Sequence, residues 1–282
     1  MDERDWYTEL HGGPFGLTIR RDQVLIRERT PYQQLEIFEN EALGRVLLLD
    51  DAVMLTERDE FIYHEMLVHP GMLAHPDPHQ VLVVGGGDGG TLREVVKHQE
   101  VEQATLCEID EAVINLSREF LPFTAAGLDH PKSTIHVGDG LEYIRSHREE
   151  FDVVIVDSTD PVGMAEGLFR SPFYRDVKAS LKPGGLLVQQ AESPFYGFET
   201  WPRTFSELAS VFRNVHCYGA AIPMYPSGYW TFAFGSDDLT PKSWFDPLRA
   251  DRLEGLRYYS SELQDAAFQL PRFARLALAS EH

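Results

Sequence analysis

Four apolar runs, each ending in an acid or a glycine–acid cluster, limit the architectures open to this chain. Val81–Val84 runs into Gly85-Gly86-Gly87-Asp88-Gly89-Gly90, and Ala104–Cys107 runs into Glu108-Ile109-Asp110. Thr134–Val137 leads to Gly138-Asp139-Gly140, and Val153–Val156 leads to Asp157-Ser158-Thr159-Asp160-Pro161. Helix-like segments at Thr91–His98, Glu111–Phe120 and Ser171–Leu181 alternate with these runs. That alternation predicts a parallel sheet with helices on both faces. Ligands of such a sheet sit outside the carboxyl ends of its strands, so four strand-end acids project into one cleft. An acid-lined cleft at a nucleoside-binding position suits a ligand that carries positive charge.

The flanking segments read differently. From Phe15 to about Met54 apolar residues alternate with polar ones and are punctuated by Arg21-Asp22, Pro31-Tyr32 and Asn40-Glu41, which predicts a small antiparallel β unit. Asp59 to about Leu73 reads as a helix that Pro70 interrupts. Lys182-Pro183-Gly184-Gly185 reads as a turn into a strand at Leu186–Gln190. The last two apolar runs, Val215–Ile222 and Tyr229–Gly235, are joined by six residues, too few for a crossover helix, so they should pair antiparallel. The expected fold is thus a Rossmann-type parallel sheet ending in an antiparallel hairpin, unlike the dehydrogenase version. The expected division is a β domain over 1–56 and an α/β domain over 57–282. Repeats and low-complexity segments are absent from the sequence.

Charge narrows the partners. Asp and Glu number 45 against 25 Lys and Arg, a formal net charge of −20 in 282 residues. Such a chain repels phosphate backbones and attracts cations, so nucleic acid is not expected as a partner. The two cysteines, Cys107 and Cys217, sit in apolar runs and read as reduced core residues. Met1-Asp2-Glu3-Arg4-Asp5 is acidic where a secretion signal is basic, and no apolar stretch approaches a membrane span. A soluble cytoplasmic protein is expected. His64, His69, His75 and His79 lack metal-ligand spacing on one face, and no metal site is read.

The glycine-rich turn lets a ligand approach the backbone closely, a property shared by dinucleotide and AdoMet sites. Glu108 follows Gly87 by 21 positions (108 − 87), close to the interval of about 20 residues to a ribose-binding acid. Asp88 is the sharper feature. It puts a carboxylate where AdoMet would place its own, or NAD its pyrophosphate, and both contacts would be repulsive. Decarboxylated AdoMet has lost that carboxylate and keeps the amine.

The motifs at 81–90, 92–98, 108–110 and 156–161 resemble those of the spermidine synthases, the polyamine aminopropyltransferases. So do Trp6-Tyr7-Thr8-Glu9, Thr56-Glu57-Arg58-Asp59-Glu60-Phe61, Tyr225-Pro226-Ser227-Gly228 and Ala266–Pro271. The resemblance spans nearly the whole chain. It implies an AdoMet-methyltransferase-like α/β domain behind a small β domain, assembled as a homodimer or homotetramer. It implies no cofactor, with decarboxylated AdoMet as co-substrate. Carried over residue by residue, it implies that Gln33 and Glu108 hold the donor ribose, Asp139 and Gly140 the adenine, and Asp88 the aminopropyl ammonium. Asp157 would accept the proton. Tyr63, His64, Asp88 and the run Asp157, Ser158, Thr159 and Asp160 would face the acceptor amine, with Gln190, Tyr225 and Trp230. Tyr63, Tyr225 and Trp230 are equally open to a core role. Ser158–Phe169 would form a gate.

The expected reaction is transfer of an aminopropyl group to putrescine, with cadaverine, agmatine or spermidine as alternative acceptors. An AdoMet methyltransferase and a non-catalytic polyamine binder are rival readings. An aliphatic amine has a pKa of about 10.4 and arrives protonated, so a base is needed, and burial must raise an Asp from about 3.9 for that task. Neutral groups, Tyr63 and Gln190, are expected around the attacking nitrogen, with acids at the distal one. Two residues depart from the family pattern. Met164 replaces a proline in the gate, where it would still face the nucleoside, and Met224 replaces a threonine and would add apolar bulk near the acceptor.

Overall fold

Period-2 alternation in the first segment builds two antiparallel sheets, not one. The computed structural model describes residues 5–280 other than 12, 162, 198 and 199; the residues before Asp5 that bear on the secretion reading lie outside that range. Strands β1 (Trp6–Leu10) and β2 (Gly16–Arg20) form a hairpin. Strands β3 (Gln23–Arg29), β4 (Gln34–Asn40), β5 (Gly44–Leu49) and β6 (Ala52–Thr56) form a four-stranded meander. Successive side chains point to opposite faces of a strand, and the meander buries both. Phe38, Val46, Leu48 and Val53 pack with Tyr7 and Ile19 of the hairpin, while Leu35, Ile37, Leu47 and Leu55 pack with Val113 and Leu121.

The second sheet has seven strands in the order β12-β13-β11-β10-β7-β8-β9. They are β7 (Gln80–Gly85), β8 (Gln103–Glu108), β9 (Ser133–Val137), β10 (Phe151–Asp157), β11 (Leu181–Gln190), β12 (Asn214–Ala221) and β13 (Tyr229–Ser236). Strands β7 to β11 pair parallel, and β13 runs antiparallel to both β11 and β12. Helices α1 (Glu60–Met72), α2 (Gly90–Val95), α3 (Glu111–Phe120), α4 (Pro122–Ala125), α5 (Gly140–Arg145), α6 (Ser171–Ser180) and α7 (Thr200–Ala209) cover it, with short helices after β13. The central strands are apolar on both faces, as a sheet sandwiched by helices requires. Val81, Val83, Val153 and Ile155 join the core under α1, and Leu82, Val84, Val154 and Val156 join the core of Phe173, Val177 and Trp201.

Three local expectations change. Helix α1 continues through Pro70 to Met72. A proline removes the N–H that would bond the carbonyl four residues back, here that of Met66, and the Tyr218 hydroxyl donates to that carbonyl instead at 2.9 Å. Helix α2 is shorter than Thr91–His98, closing at Val95 with a turn to His98. Strand β11 begins at Leu181 and carries Lys182–Gly185 as an irregularity in its pairing with β10, with Gly184 at φ +80°.

Candidate active site

The carboxyl ends of β7, β8, β9 and β10 open on one cavity of about 380 Å³. Asp88, Glu108, Asp139 and Asp157 all line it, joined by Gly85–Gly87, Gly140, Gln33, Tyr63, His64, Ser158, Thr159, Met164 and Tyr225. A smaller cavity of about 50 Å³ is lined by Asp160, Gln190, Trp230 and Glu9, and shares Tyr63, Ser158, Thr159 and Tyr225 with the first.

Asp157 ends β10, half-buried. Tyr63 donates its hydroxyl to Oδ1 at 2.6 Å, and Thr91 donates to Oδ2 at 2.6 Å. The turn after β7 must pass over it: a Cβ at Gly86, whose φ is +71°, would fall 2.6 Å from Asp157 Oδ2, so only glycine lets the loop lie there. Burial, then the neighbouring Asp88 carboxylate, push the Asp157 carboxyl above its ordinary value, against His64 and the two hydroxyl donors. An acid raised in this way is a better base near neutral pH than an exposed one.

Glu108 is held by the backbone. Its Oε2 accepts from Gly87 N–H at 3.2 Å and its Oε1 from Asp110 N–H at 2.9 Å. Burial outweighs both bonds and lifts this carboxyl to about 7. Gln33 reaches the cavity from the meander, where its amide donates to Asp110 Oδ2 at 2.9 Å. Thr30 donates to the same oxygen at 2.8 Å, and Asp110 Oδ1 caps α3 at Ala112 N–H. Asp110 therefore ties the Thr30–Gln33 loop to the nucleoside side. Asp139 caps α5 through Leu141 N–H at 2.8 Å and keeps its other oxygen free of protein partners among the described residues.

His64 is buried on α1, with Nδ1 2.7 Å from Glu60 Oε2 and Nε2 3.4 Å from Asp88 Oδ1. Burial opposes its charge, but the Asp88 and Glu60 carboxylates outweigh it and hold the imidazole up at about 10. Ligand atoms of His64, Asp88 and Asp157 lie within 4.8 Å of one another. Two acids so close suit an ammonium group.

Near the smaller cavity the acids Glu9, Asp160 and Glu192 crowd one another. The protein packed around the Asp160 carboxyl, and then Glu9, push it up to about 6 although one edge of the residue is exposed. Burial, then Asp160, lift Glu192 to about 7. Glu192 Oε2 and the Trp230 indole N–H are buried with no hydrogen-bond partner among the described residues. Glu192 adopts φ +57°, an uncommon conformation for a residue with a Cβ. It is fixed by its N–H to Gln190 Oε1 and by Thr231 donating to its carbonyl.

Most of the expected residues thus converge, with two corrections. Gln190 follows the residue paired with Val156 and so lies across from Asp157, but its amide is spent on the Ser158 and Thr159 carbonyls at 3.2 Å and it lines the smaller cavity with Asp160. Met224 lines neither cavity. It packs on the core of Tyr7, Phe38 and Val53, with its N–H on Asp59. The gate folds as a 3-10 helix over Gly163–Phe169 that sets Met164 and Leu168 against the larger cavity; Val162 lies outside the described residues. Sequence reasoning missed Glu9 as an acid of the small cavity, although Glu9 ends a motif it used, and missed Glu192 nearby, two residues after Gln190. It also missed Thr91, the neutral donor to Asp157.

Comparison with known proteins agrees with this geometry. Residues 60–244 match the family model described as the spermine/spermidine synthase domain, and residues 5–57 match the spermidine synthase tetramerisation domain. The chain is 45% identical over 268 residues to the polyamine aminopropyltransferase of Desulforudis audaxviator, covering 95% of this chain and 97% of that protein. It is 44% identical over 275 residues to that of Thermoanaerobacter pseudethanolicus, covering 96% and 97%. A solved spermidine synthase in complex with the transition-state analogue AdoDATO superposes with a TM-score of 0.95 at 41% identity, covering 98% of this chain and 95% of that one. Spermidine synthase from Thermotoga maritima gives 0.92 at 40% identity, covering 97% and 94%. No helix among the described residues is long and apolar enough to cross a membrane. This chain belongs to the spermine/spermidine synthase family and is a polyamine aminopropyltransferase.

Proposed function

We propose that the enzyme transfers the aminopropyl group of decarboxylated AdoMet to putrescine, giving spermidine and methylthioadenosine, with Asp157 as proton acceptor. The observation that carries this reading is the environment of Asp157. Its carboxyl is raised, steadied by the neutral hydroxyls of Tyr63 and Thr91, and placed in one cavity with the ribose-side acid Glu108. The acceptor ammonium gives its proton to Asp157. The free amine then attacks the methylene next to the sulfonium, the C–N bond forms as the C–S bond breaks, and the sulfide leaves as methylthioadenosine.

In this reading Gln33 and Glu108 hold the ribose, Asp139 and Gly140 the adenine, and Met164 closes over the nucleoside. Asp88 takes the donor ammonium and rejects the carboxylate of AdoMet itself. The relative solved with AdoDATO supports a donor in this cavity. Tyr63, His64, Ser158, Thr159 and Tyr225 wall the reacting end of the acceptor, and Asp160, Gln190 and Trp230 the distal end. The small volume beside Asp160 supports a short diamine. We further propose a division at 56/57, a cytoplasmic location, no cofactor, and a homodimer or homotetramer, the last supported by the description of the family matched over 5–57. The test is product analysis with decarboxylated AdoMet and a panel of amines. Spermidine and methylthioadenosine from putrescine support the reading. Methylated amine from AdoMet, or tight binding without turnover, contradicts it.

A further inference from the structure

His64 is wired to a chain of charges that the reaction as described does not use. Its Nδ1 meets Glu60 Oε2 at 2.7 Å, and Arg93 grips that carboxylate with two nitrogens, at 3.0 Å on Oε1 and 2.9 Å on Oε2. Arg93 is itself held by Glu94 at 2.8 Å and by the Phe123 carbonyl at 2.7 Å. The ring cannot turn away. A Cβ at Gly90 would fall 2.3 to 2.5 Å from Cε1, Nδ1 and Nε2 alike, so the imidazole lies flat on Gly90.

Carboxylates only accept hydrogen bonds, and a neutral imidazole has a single N–H. A ring with a carboxylate oxygen facing each nitrogen needs a proton on both. The groups facing it are Glu60 and Tyr63 from α1, Asp88 from the loop after β7, Arg93 from α2, Asp157 from the end of β10, and Tyr225 behind Tyr63. Arg93 is spent on Glu60 and Glu94. Without His64 the reacting end would therefore hold two carboxylates, Asp88 and Asp157, and no cation of its own. Such a field keeps an amine protonated, which opposes attack.

We propose that Glu60, clamped by Arg93, is a positioning residue that keeps His64 an imidazolium, and that this fixed cation offsets Asp88 so that the acceptor ammonium can release its proton to Asp157. Its kinetic part rests on the aminopropyl-transfer reading; the charge on His64 does not.

The experiment follows the His64 ring by NMR in the full-length protein without substrate, assigned by difference from His64→Gln. In the wild type His64 stays charged from about pH 6 to 9, where an ordinary histidine loses its proton. Glu60→Gln brings its titration into that window. A wild-type His64 that titrates near the ordinary value overturns the proposal, as does a Glu60→Gln variant whose His64 does not move. The wild-type titration decides alone if the variant fails to fold. In turnover, Glu60→Gln lowers kcat near pH 7 about tenfold, the effect of one unit in the amine pKa. Acceptor KM stays level or falls, and raising the pH restores the rate. A loss of kcat that alkaline pH does not restore marks a structural role and overturns the proposal. Failure of the functional reading is distinct: the wild type would release no methylthioadenosine, while the His64 titration still decides the charge.

Discussion

Glu108, in the larger cavity, and Glu192, two residues beyond Gln190 of the smaller one, are both carboxylates near neutral pKa, yet the protein treats them in opposite ways. Glu108 has each oxygen on a backbone N–H, so its geometry is set before a ligand arrives. Among the described residues, Glu192 leaves Oε2 buried and without a partner on a backbone at φ +57°, near Asp160 and a Trp230 N–H likewise without one. An unsatisfied buried acceptor costs about 1–3 kcal/mol. The Glu108 end is thus pre-organised, whereas the Glu192 end carries a strain that, in the proposed function, the acceptor's cation relieves. Asp157 stands between them, held by two neutral hydroxyls.

The largest expected effect breaks the middle of that comparison. Asp157→Asn keeps the cavity shape and removes the base, so kcat falls on the order of 10²-fold or more while donor affinity measured by calorimetry persists. Near-normal turnover by this variant would take Asp157 out of the mechanism.

Donor choice comes next. Asp88→Asn weakens decarboxylated AdoMet and narrows its advantage over AdoMet by about tenfold, a modest cost for losing one close charge. An unchanged affinity ratio places selectivity elsewhere.

The pre-organised end has a pH signature. If Glu108 holds the ribose as proposed, it accepts the hydroxyls best when ionised, and burial lifts its carboxyl to about 7. Donor affinity therefore rises as pH rises through about 7 and levels off above it, and Glu108→Gln flattens the curve. A flat wild-type curve contradicts the ribose role.

The acceptor end carries a stability signature of opposite use. Glu192 is raised in the folded state, from 4.5 to about 7. A raised acid binds its proton more tightly when folded, so stability is highest below about 4.5 and declines as pH rises toward about 7. Glu192→Gln removes that decline, and melting at slightly alkaline pH rises by about 2–5 °C, while the stabilisation given by putrescine shrinks. Equal melting of variant and wild type would mean that the unpartnered oxygen carries no strain.

How far these features can be read from the chain differs by region. The parallel sheet and its acid-tipped strands are local patterns, and Asp88, Glu108, Asp139 and Asp157 meet as the strand-end rule requires. Pro70 could not be judged locally, because the hydroxyl that completes the Met66 carbonyl comes from Tyr218, 152 residues away. The direction of the Gln190 amide could not be read locally, since it depends on the Ser158 and Thr159 carbonyls. Met224 was given to the acceptor wall by its neighbour Tyr225, but the two sit in a turn closed by the Tyr225 N–H on the Ile222 carbonyl, and Met224 packs on the first sheets. That second finding removes the apolar bulk once held to limit acceptor length. The case for a short acceptor now rests on the small cavity, which Asp160 and Glu9 line.

A further effect follows from that gathering. One cluster of acids holds one distal ammonium, so a mid-chain ammonium loses hydration without its own partner, at a cost of about 1–3 kcal/mol. The kcat/KM order is putrescine, then cadaverine, then spermidine. A spermidine value equal to that of putrescine would mean a second acid site along the channel.

The most direct measurement incubates the enzyme with decarboxylated AdoMet and putrescine and quantifies both products by mass spectrometry, alongside Asp157→Asn. The account predicts spermidine and methylthioadenosine in equal amounts from the wild type, and neither in comparable quantity from the variant. Methylthioadenosine without spermidine, or equal product from the two proteins, would contradict it.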